Sequence, residues 1–162
     1  MTPKKKGKIK YSYSIRAAKK KDVAEIEKIL LNYAKKNLLL PRSGEEIEKH
    51  IASFKVAELA GKLLGCCASR DFGKGLFEIR SLAVLQEHNG KGLGSKLVKA
   101  CFRTLKKNAA KRIFALTYRP KLFERLGFRV VSKDMFPEKI WSDCAKCRKK
   151  NNCDEIAVLI EL

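Results

Sequence analysis

The apolar residues of this chain follow two spacings, and each spacing predicts a different kind of element. Spacings of three and four begin after Asp22, a residue typical of a helix N-cap, and predict a helix that ends near Lys36. Ser43 and Glu46 form the S-x-x-E pattern of a capping box and predict a shorter helix. In all, the pattern predicts four helices, over residues 22–36, 43–53, 94–107 and 121–126.

Shorter apolar runs, separated by turn sequences such as A-G-K and D-F-G-K-G, predict strands instead. Seven such runs cover residues 11–17, 55–59, 63–69, 76–85, 112–117, 128–131 and 155–161. Strands and helices are mixed along the chain without an internal repeat, which favours one α/β (α+β) domain over residues 11–162. The lysine-rich residues 1–10 are predicted to form a basic, disordered tail.

Composition limits the partners of this domain. The 162 residues carry 37 Lys and Arg against 17 Asp and Glu, a formal net charge of +20 at pH 7, which attracts anions such as nucleic acids and phosphorylated cofactors. The aromatic residues have no regular spacing that forms a stacking platform, which argues against a nucleic-acid partner. No apolar segment is long enough for a signal peptide or a membrane span, so we expect a cytoplasmic protein without a membrane partner.

The six cysteines are expected to be thiols, because disulfides are rare in a reducing compartment. Three of them lie in apolar runs and are predicted to be core residues: Cys66, Cys67 and Cys101. The other three, Cys144, Cys147 and Cys153, contain a C-x-x-C pair that is typical of zinc sites. A structural zinc site needs four ligands and neither His is close in sequence, so we predict no metal and keep these three cysteines as the alternative ligands.

The stretch E-H-N-G-K-G-L-G-S, residues 87–95, places three glycines between a predicted strand and a predicted helix. The free N–H groups of a first helical turn and the helix dipole attract an anion, and glycine lets the main chain approach it closely. The spacing fits neither the Walker A loop, G-x-x-x-x-G-K-S/T, nor the dinucleotide fingerprint, G-x-G-x-x-G. It therefore predicts a phosphate cradle of another kind.

Asn89-x-x-Gly92-x-Gly94, which follows S-L-A-V (81–84) after four residues, resembles the pyrophosphate loop Gln/Arg-x-x-Gly-x-Gly/Ala of the GNAT superfamily of acetyl-CoA-dependent N-acetyltransferases. L-F-E-R-L-G-F, residues 122–128, matches the later helix-turn signature of that family, and the resemblance covers most of residues 14–162. Asn89 stands where the family usually has Gln or Arg. The resemblance implies a mixed, mostly antiparallel sheet of about seven strands flanked by about four helices.

By this resemblance the cosubstrate is acetyl-CoA. Its pantetheine arm is expected to pair like an added strand with Leu82, Ala83 and Val84, where a main-chain N–H near Leu82 or Ala83 polarises the thioester carbonyl. Its diphosphate is expected at the glycine-rich loop. The loop residues implied are Asn89, Gly90, Lys91, Gly92, Leu93, Gly94 and Ser95.

Five phrases in order, L-L-L-P-R-S, G-C-C-A, E-I-R-S-L-A-V, L-T-Y-R-P and K-I-W-S-D-C-A-K-C-R-K-K-N-N-C-D-E, resemble the short, stand-alone N-acetylglutamate synthases of bacterial arginine biosynthesis. This resemblance implies acetylation of the α-amino group of L-glutamate, giving N-acetylglutamate and CoA. Two alternatives stay open: an enzyme of the same superfamily acting on another amino acid, a polyamine or a protein N-terminus, and a non-catalytic, basic nucleic-acid-binding protein. A homodimer also stays open.

Glutamate has two carboxylates, and Arg binds a carboxylate through two parallel hydrogen bonds. Arg42 and Arg70 match positions where the synthases hold substrate carboxylates with basic residues. Glu78 lies where many GNAT enzymes carry a general base, acting directly or through water. Strand alternation predicts Glu78, Arg80 and Leu82 on one face, so Arg80 either forms an ion pair with Glu78 or binds substrate.

Many GNAT enzymes also protonate the departing thiolate with a Tyr of the later helix. Phe123 stands at that position here, so the usual acid is missing. A thiolate leaves more readily than an alkoxide because thiols are far more acidic, and Thr117 or Tyr118 is the alternative group near the sulfur. The expected catalytic residues are therefore Glu78, Thr117 and Tyr118.

Overall fold

A computed structural model describes residues 13–136 and 154–162 of the chain. The helices are α1 (Val23–Lys35), α2 (Gly44–Lys49), α3 (Leu93–Lys107) and α4 (Pro120–Glu124). The strands are β1 (Ser14–Ala17), β2 (Phe54–Leu59), β3 (Lys62–Asp71), β4 (Leu76–Val84), β5 (Arg112–Thr117), β6 (Arg129–Val131) and β7 (Ile156–Glu161). The predicted tail, residues 1–10, and Cys144, Cys147 and Cys153 lie outside the described residues.

The seven strands found in the described residues form one sheet in the order β1-β2-β3-β4-β5-β7-β6. Every neighbouring pair is antiparallel except β4 and β5, which are parallel. The prediction of a mixed, mostly antiparallel sheet with four helices is confirmed. The late strand β7 lies between β5 and β6, and its central residues 157–159 are buried.

Helices cover both faces of the sheet. The buried residues of α3 pack on one face, together with Ile79 of β4 and Ile113 of β5. The buried residues of α1 and α2 pack on the other face, against Cys66 and Ala68 of β3. The apolar spacing of α3 explains this placement, since its buried side chains recur at helical intervals: Leu93, Leu97, Val98, Cys101 and Leu105.

A bulge interrupts β4 in its middle. Arg80 pairs with Ala68 and Ala83 pairs with Cys66, so two residues of β4 lie opposite one residue of β3. Ser81, in the bulge, has a φ of 54°, which is unusual for a residue with a side chain. The prediction that Leu82 shares a face with Glu78 and Arg80 is wrong, because the extra residue turns Leu82 towards the α3 side of the sheet.

From residue 79 onward, β4 no longer pairs with β5. Their parallel register covers residues 76–78 of β4 and 112–114 of β5, although β4 continues to Val84 and β5 to Thr117. The second half of β5 pairs with β7 on its other side. Residues 79–84 of β4 therefore present main-chain groups that no described strand pairs on the β5 side, and we call this the open edge.

Two capping predictions need correction. Asp22 lies at the N-cap of α1, but its carboxylate accepts hydrogen bonds from Arg16 and from the Lys19 main-chain N–H rather than capping the helix. Ser43 does cap α2, since its Oγ accepts from the Glu46 N–H at 3.2 Å. The carboxylate of Glu46 instead accepts from Arg42. None of the helices among the described residues has the length and apolarity needed to cross a bilayer.

Candidate active site

The glycine-rich loop, residues 89–95, connects a short 3-10 turn after β4 to the start of α3. Gly90 and Gly92 have φ values of +78° and +79°, a left-handed conformation that side chains rarely adopt. A Cβ at either position would meet no atom of the described residues within 4 Å. Asn89, Lys91 and both glycines are exposed. This loop is accessible to a ligand from solvent.

The start of α3 leaves main-chain donors for that ligand. Gly92 is the N-cap, and no side chain of the described residues caps the helix. The Lys96 N–H donates to Gly92 O at 3.1 Å, which makes it the first donor within the helix. The N–H groups of Leu93, Gly94 and Ser95 precede that bond, and the first turn contains no acidic residue. Partial positive charge and main-chain donors coincide, an arrangement suited to a diphosphate.

The third glycine of the loop has a packing role in this structure. A Cβ on Gly94 would lie 3.2 Å from Leu122 Cδ1, so its small size lets α3 approach α4 closely. Sequence alone placed Gly94 among the phosphate-binding residues. Its N–H lies in the first turn of α3, so both uses are compatible.

An aromatic cluster supports the basic side of the loop. Lys96 Nζ lies 5.9 Å from the centroid of the Tyr13 ring, within the range of a cation–π contact. The Tyr13 ring in turn meets the His88 ring edge-on, with centroids 6.2 Å apart. His88 Nδ1 is buried without a hydrogen-bond partner among the described residues. Sequence reasoning missed Tyr13 and His88, although the position of His88 just before the loop was a usable signal.

The open edge carries the residues expected to hold the pantetheine arm: Leu82, Ala83 and Val84. One group already contacts it. The Tyr33 hydroxyl, from α1, donates to Val84 O at 2.5 Å and lies 3.4 Å from Val84 N. Sequence reasoning missed this contact, because the helical spacing of Tyr33 explains it as an ordinary buried residue.

The opposite face of the sheet from α3 carries the predicted acid–base and carboxylate-binding residues. Glu78 is 2% exposed and lies directly opposite Arg70 in the antiparallel register. Such neighbours have Cβ atoms about 5 Å apart. Arg80 lies two residues along on the same face, opposite Ala68. Arg70, which sequence reasoning treated as a separate substrate ligand, is thus the cross-strand neighbour of Glu78.

Aromatic side chains surround this pair. The Arg70 guanidinium lies 4.7 Å from the centroid of the Phe72 ring. Phe72 contacts Phe114, with centroids 5.7 Å apart, and Phe114 stacks on Phe136 at 4.1 Å. Phe114 also lies beside Glu78 in the β4–β5 register. A carboxylate and a guanidinium with apolar neighbours interact strongly with charged ligands, since water screens them little. We call this face, with Arg70, Glu78 and Arg80, the acceptor face.

Arg42 precedes the N-cap of α2. Its Nη1 lies 3.0 Å from Glu46 Oε1, and its side chain is 11% exposed. The structure therefore holds Arg42 in a defined orientation instead of leaving it as a solvated charge. Helix α2 packs against the same face of the sheet as α1, which is the face of Arg70.

The predicted donors to sulfur lie at the end of β5. Thr117 Oγ1 accepts from the Arg119 N–H at 2.8 Å, and the Tyr118 hydroxyl donates to Asp154 at 2.7 Å. Phe123 of α4 is buried and contacts Phe128 edge-on at 5.3 Å between centroids. Phe123 is thus a core residue, and the two hydroxyls at the end of β5 already have hydrogen-bond partners.

The three described cysteines are buried thiols, as predicted for the core. Burial raises the pKa of Cys66 to about 12. A hydrogen bond with Cys101, together with burial, raises the pKa of Cys67 well above its ordinary value. Among residues 13–136 and 154–162, no group of three or more His, Cys, Asp and Glu side chains is arranged to hold a metal ion.

Comparisons with known proteins agree with this geometry. The model of the Acetyltransferase (GNAT) family matches residues 19–128. An uncharacterized N-acetyltransferase of Chlorobaculum tepidum is 41% identical over 145 residues, which cover 90% of this chain and 94% of that protein. An amino-acid acetyltransferase of Neisseria meningitidis is 33% identical over 127 residues, 77% of this chain and 29% of that protein.

Among solved structures, N-acetylglutamate synthase from Neisseria gonorrhoeae, complexed with coenzyme A and N-acetyl-glutamate, superposes with a TM-score of 0.81 at 29% identity. The match covers 93% of this chain and 35% of that chain. This chain therefore spans about a third of the length of the two Neisseria proteins.

Proposed function

The chain belongs to the acetyltransferase (GNAT) family, and we propose that it transfers the acetyl group of acetyl-CoA to the α-amino group of L-glutamate. It is an acetyl-CoA-dependent N-acetyltransferase whose acceptor is a small-molecule amine. The products of the proposed reaction are N-acetylglutamate and CoA, which places the enzyme in arginine biosynthesis. Support comes from the names of two relatives, the amino-acid acetyltransferase and the N-acetylglutamate synthase.

The observation that carries the choice of acceptor is the position of Arg70 opposite the buried Glu78. A dicarboxylic amino acid needs fixed cations, whereas a polyamine needs carboxylates in their place. Arg70, Arg80 and the oriented Arg42 supply three guanidinium groups on the acceptor side of the sheet. Glu78 supplies one carboxylate next to them, in the position expected for a proton acceptor.

The proposed chemistry starts with the ammonium group of glutamate. Glu78, directly or through a water molecule, takes the proton, and the nitrogen lone pair attacks the thioester carbonyl. A C–N bond forms as the carbonyl π electrons move to oxygen, where a main-chain N–H of the open edge stabilises the negative charge. The carbonyl re-forms as the C–S bond breaks, the electron pair leaves on sulfur, and the nitrogen gives up its second proton to water. The thiolate takes a proton from Thr117, Tyr118 or water.

The loop supplies binding rather than chemistry. The N–H groups of Leu93, Gly94 and Ser95, with Lys91 and Lys96 close by in sequence, hold the diphosphate at the start of α3. The arm then runs along the open edge from the α3 side, and the acceptor face lies on the other side of the same strand. The gap between β4 and β5 thus joins the two substrates.

A thiol-release assay over the twenty amino acids and two polyamines tests the acceptor. We expect the highest kcat/KM for L-glutamate. We expect kcat/KM for L-glutamine, which differs only in losing the side-chain charge, to be lower by roughly 100-fold or more, because the arginine side chains would face a neutral amide. An equal rate with glutamine or a preference for a polyamine would contradict glutamate. Salt-sensitive RNA binding without acetyl-CoA binding would contradict catalysis.

A further inference from the structure

Val84, the last residue of β4, directs its main-chain groups towards the open edge. Val84 lies opposite Gly65 in the register of β3 and β4, and the neighbouring Leu85 N–H donates to Leu64 O at 2.8 Å. Successive residues of an antiparallel strand point their N–H and C=O groups to opposite sides. Since those of Leu85 face β3, those of Val84 face the gap towards β5.

The Tyr33 hydroxyl occupies this position alone among the described residues. It is 2.5 Å from Val84 O and 3.4 Å from Val84 N, so a single O–H serves both main-chain groups of one residue. The contact to oxygen has a favourable length, whereas the contact to nitrogen is long. An added strand would serve these two groups with a separate C=O and N–H, each at a normal distance.

We propose that Tyr33 is a gate for the cofactor arm: its hydroxyl holds the main-chain groups of Val84 in the free enzyme, and an amide of the arm displaces it on binding. This inference rests on acetyl-CoA lying along the open edge. The hydroxyl keeps these two groups of Val84 hydrogen-bonded when no ligand is bound. Displacing it lowers affinity for the pantetheine arm and leaves affinity for the nucleotide end unchanged.

Tyr33 also links the two substrates spatially. It belongs to α1, which packs on the acceptor side of the sheet, and its ring lies beside the core cluster that contains Cys66 and Ala68. A displaced hydroxyl therefore remains on the acceptor side of the gap. The proposed exchange therefore moves the Tyr33 hydroxyl on the acceptor side when the cofactor arm binds. This movement favours binding of acetyl-CoA before the amine.

Titration calorimetry of Tyr33→Phe tests the gate, because the variant keeps the ring and removes only the hydroxyl. Acetyl-CoA is compared with adenosine 3′,5′-bisphosphate, which has the nucleotide and its 5′-phosphate but neither the second phosphate of the diphosphate nor the arm. We expect the variant to bind acetyl-CoA roughly three- to tenfold more tightly, the worth of one net hydrogen bond, and to bind the bisphosphate equally. The free variant should unfold at a lower Tm and gain more Tm than the wild type on saturation with acetyl-CoA.

Three outcomes would overturn the gate while leaving the proposed function intact. Unchanged acetyl-CoA affinity would show that the hydroxyl stays in place when the arm binds. Weaker binding of acetyl-CoA alone would show that the hydroxyl holds the arm directly. An equal change for acetyl-CoA and the bisphosphate would show a general effect on the fold. If the wild type binds the bisphosphate but not acetyl-CoA, both the gate and the proposed function fail.

Discussion

Arg42 lies beside Glu46, with 3.0 Å between Nη1 and Oε1, and this contact fixes a long side chain in one direction. A chain with a formal charge of +20 has many solvated Arg and Lys side chains, and fixed orientation is what separates Arg42 from them. Under the proposed function, this residue binds a carboxylate of glutamate.

Replacing this side chain tests that role. Arg42→Ala should raise the KM for glutamate by roughly tenfold or more, because a charge-assisted contact is lost, and leave the KM for acetyl-CoA nearly unchanged. Steady-state kinetics with each substrate varied in turn measures both values. Arg129→Ala is the matched control, since Arg129 forms an exposed ion pair with Glu161 at 2.9 Å. An equal rise in both KM values would place Arg42 outside the acceptor site.

Some residues of the candidate site have no signature of their own in a sequence. Tyr33 has the same spacing as core residues of α1, so its contact with Val84 becomes visible only when α1 is placed against β4. Arg70 and Glu78 lie opposite each other because of the register between β3 and β4. A single sequence does not specify that register. The predictions for Arg42, Glu78 and the loop rest on residue type together with the match to the family's motifs.

The loop and α3 form the element on which cofactor binding depends. The left-handed φ at Gly92 allows the chain to turn into the helix with its N–H groups outward. Gly61, in the turn between β2 and β3, has nearly the same conformation, with a φ of +81° against +79°. A Cβ added to either glycine would meet no atom within 4 Å, so a methyl group there would strain the main chain without a clash.

This likeness provides a paired experiment. Gly61→Ala and Gly92→Ala should each lower the free energy of unfolding by about 1 kcal/mol, the cost of a left-handed conformation with a Cβ. Only Gly92→Ala should weaken acetyl-CoA binding, by severalfold, because its methyl group stands where the diphosphate approaches. Urea unfolding and calorimetry measure the two quantities. Similar losses of affinity in both variants would mean that the loop does not bind the cofactor.

At this scale the sequence predicts the helices well and the bulge not at all. Apolar spacing and glycine punctuation placed α3 within one residue of its observed start, Leu93. The bulge at Ser81 has no such marker, because Ser is not a residue that requires a positive φ. Alternation was therefore carried past it, and Leu82 was assigned to the wrong face. The open edge follows from the bulge and the divergence of β5. Only the family resemblance predicts it.

For the whole molecule, an ion-pair network ties the edge strand β1 to its neighbours. Arg16 donates to Asp22 from Nη1 at 2.7 Å and from Nη2 at 2.9 Å, and its Nε donates to Glu58 of β2 at 2.5 Å. The hydrogen bonds from Arg16 hold the pKa of Asp22 below its ordinary value of 3.8, although burial opposes this. The N-terminal strand, the start of α1 and β2 are joined by one guanidinium.

The lowered pKa gives a pH dependence with a definite sign. Asp22 contributes its full stabilisation above pH 3.8 and loses it as pH falls through the lower pKa of the folded state. Asp22→Asn should therefore lower the free energy of unfolding at pH 7 by roughly 1–3 kcal/mol. The difference in free energy of unfolding between Asp22→Asn and the wild type should become smaller below pH 3.8. Urea unfolding at several pH values measures this.

Asp134→Asn is the control for that comparison, because Asp134 is exposed. It should change the free energy of unfolding little at any pH. If the difference in free energy of unfolding between Asp22→Asn and the wild type stays constant down to strongly acid pH, the effect comes from packing rather than from ionisation.

The sequence predicts the arrangement of the whole sheet only in part. The apolar run I-A-V-L-I of β7 indicates a strand covered on both faces, and in the structure residues 157–159 are buried. Strand β6 has three residues and, among the described strands, pairs with β7 alone. The difference in length and burial favours β7 as the inner strand. The order β5-β7-β6 also depends on long-range pairing energies, which no local sequence pattern contains.

Cys66 lies opposite Ala83, so a thiol stands next to the edge where a reactive thioester is proposed to bind. Its Sγ donates to Ser81 O at 3.4 Å, and its pKa is about 12. Burial therefore keeps this thiol protonated at neutral pH. Transthioesterification onto the protein is thereby suppressed, and the activated acyl group is kept for the nitrogen nucleophile. The same burial that fills the core thus protects the enzyme from modifying itself.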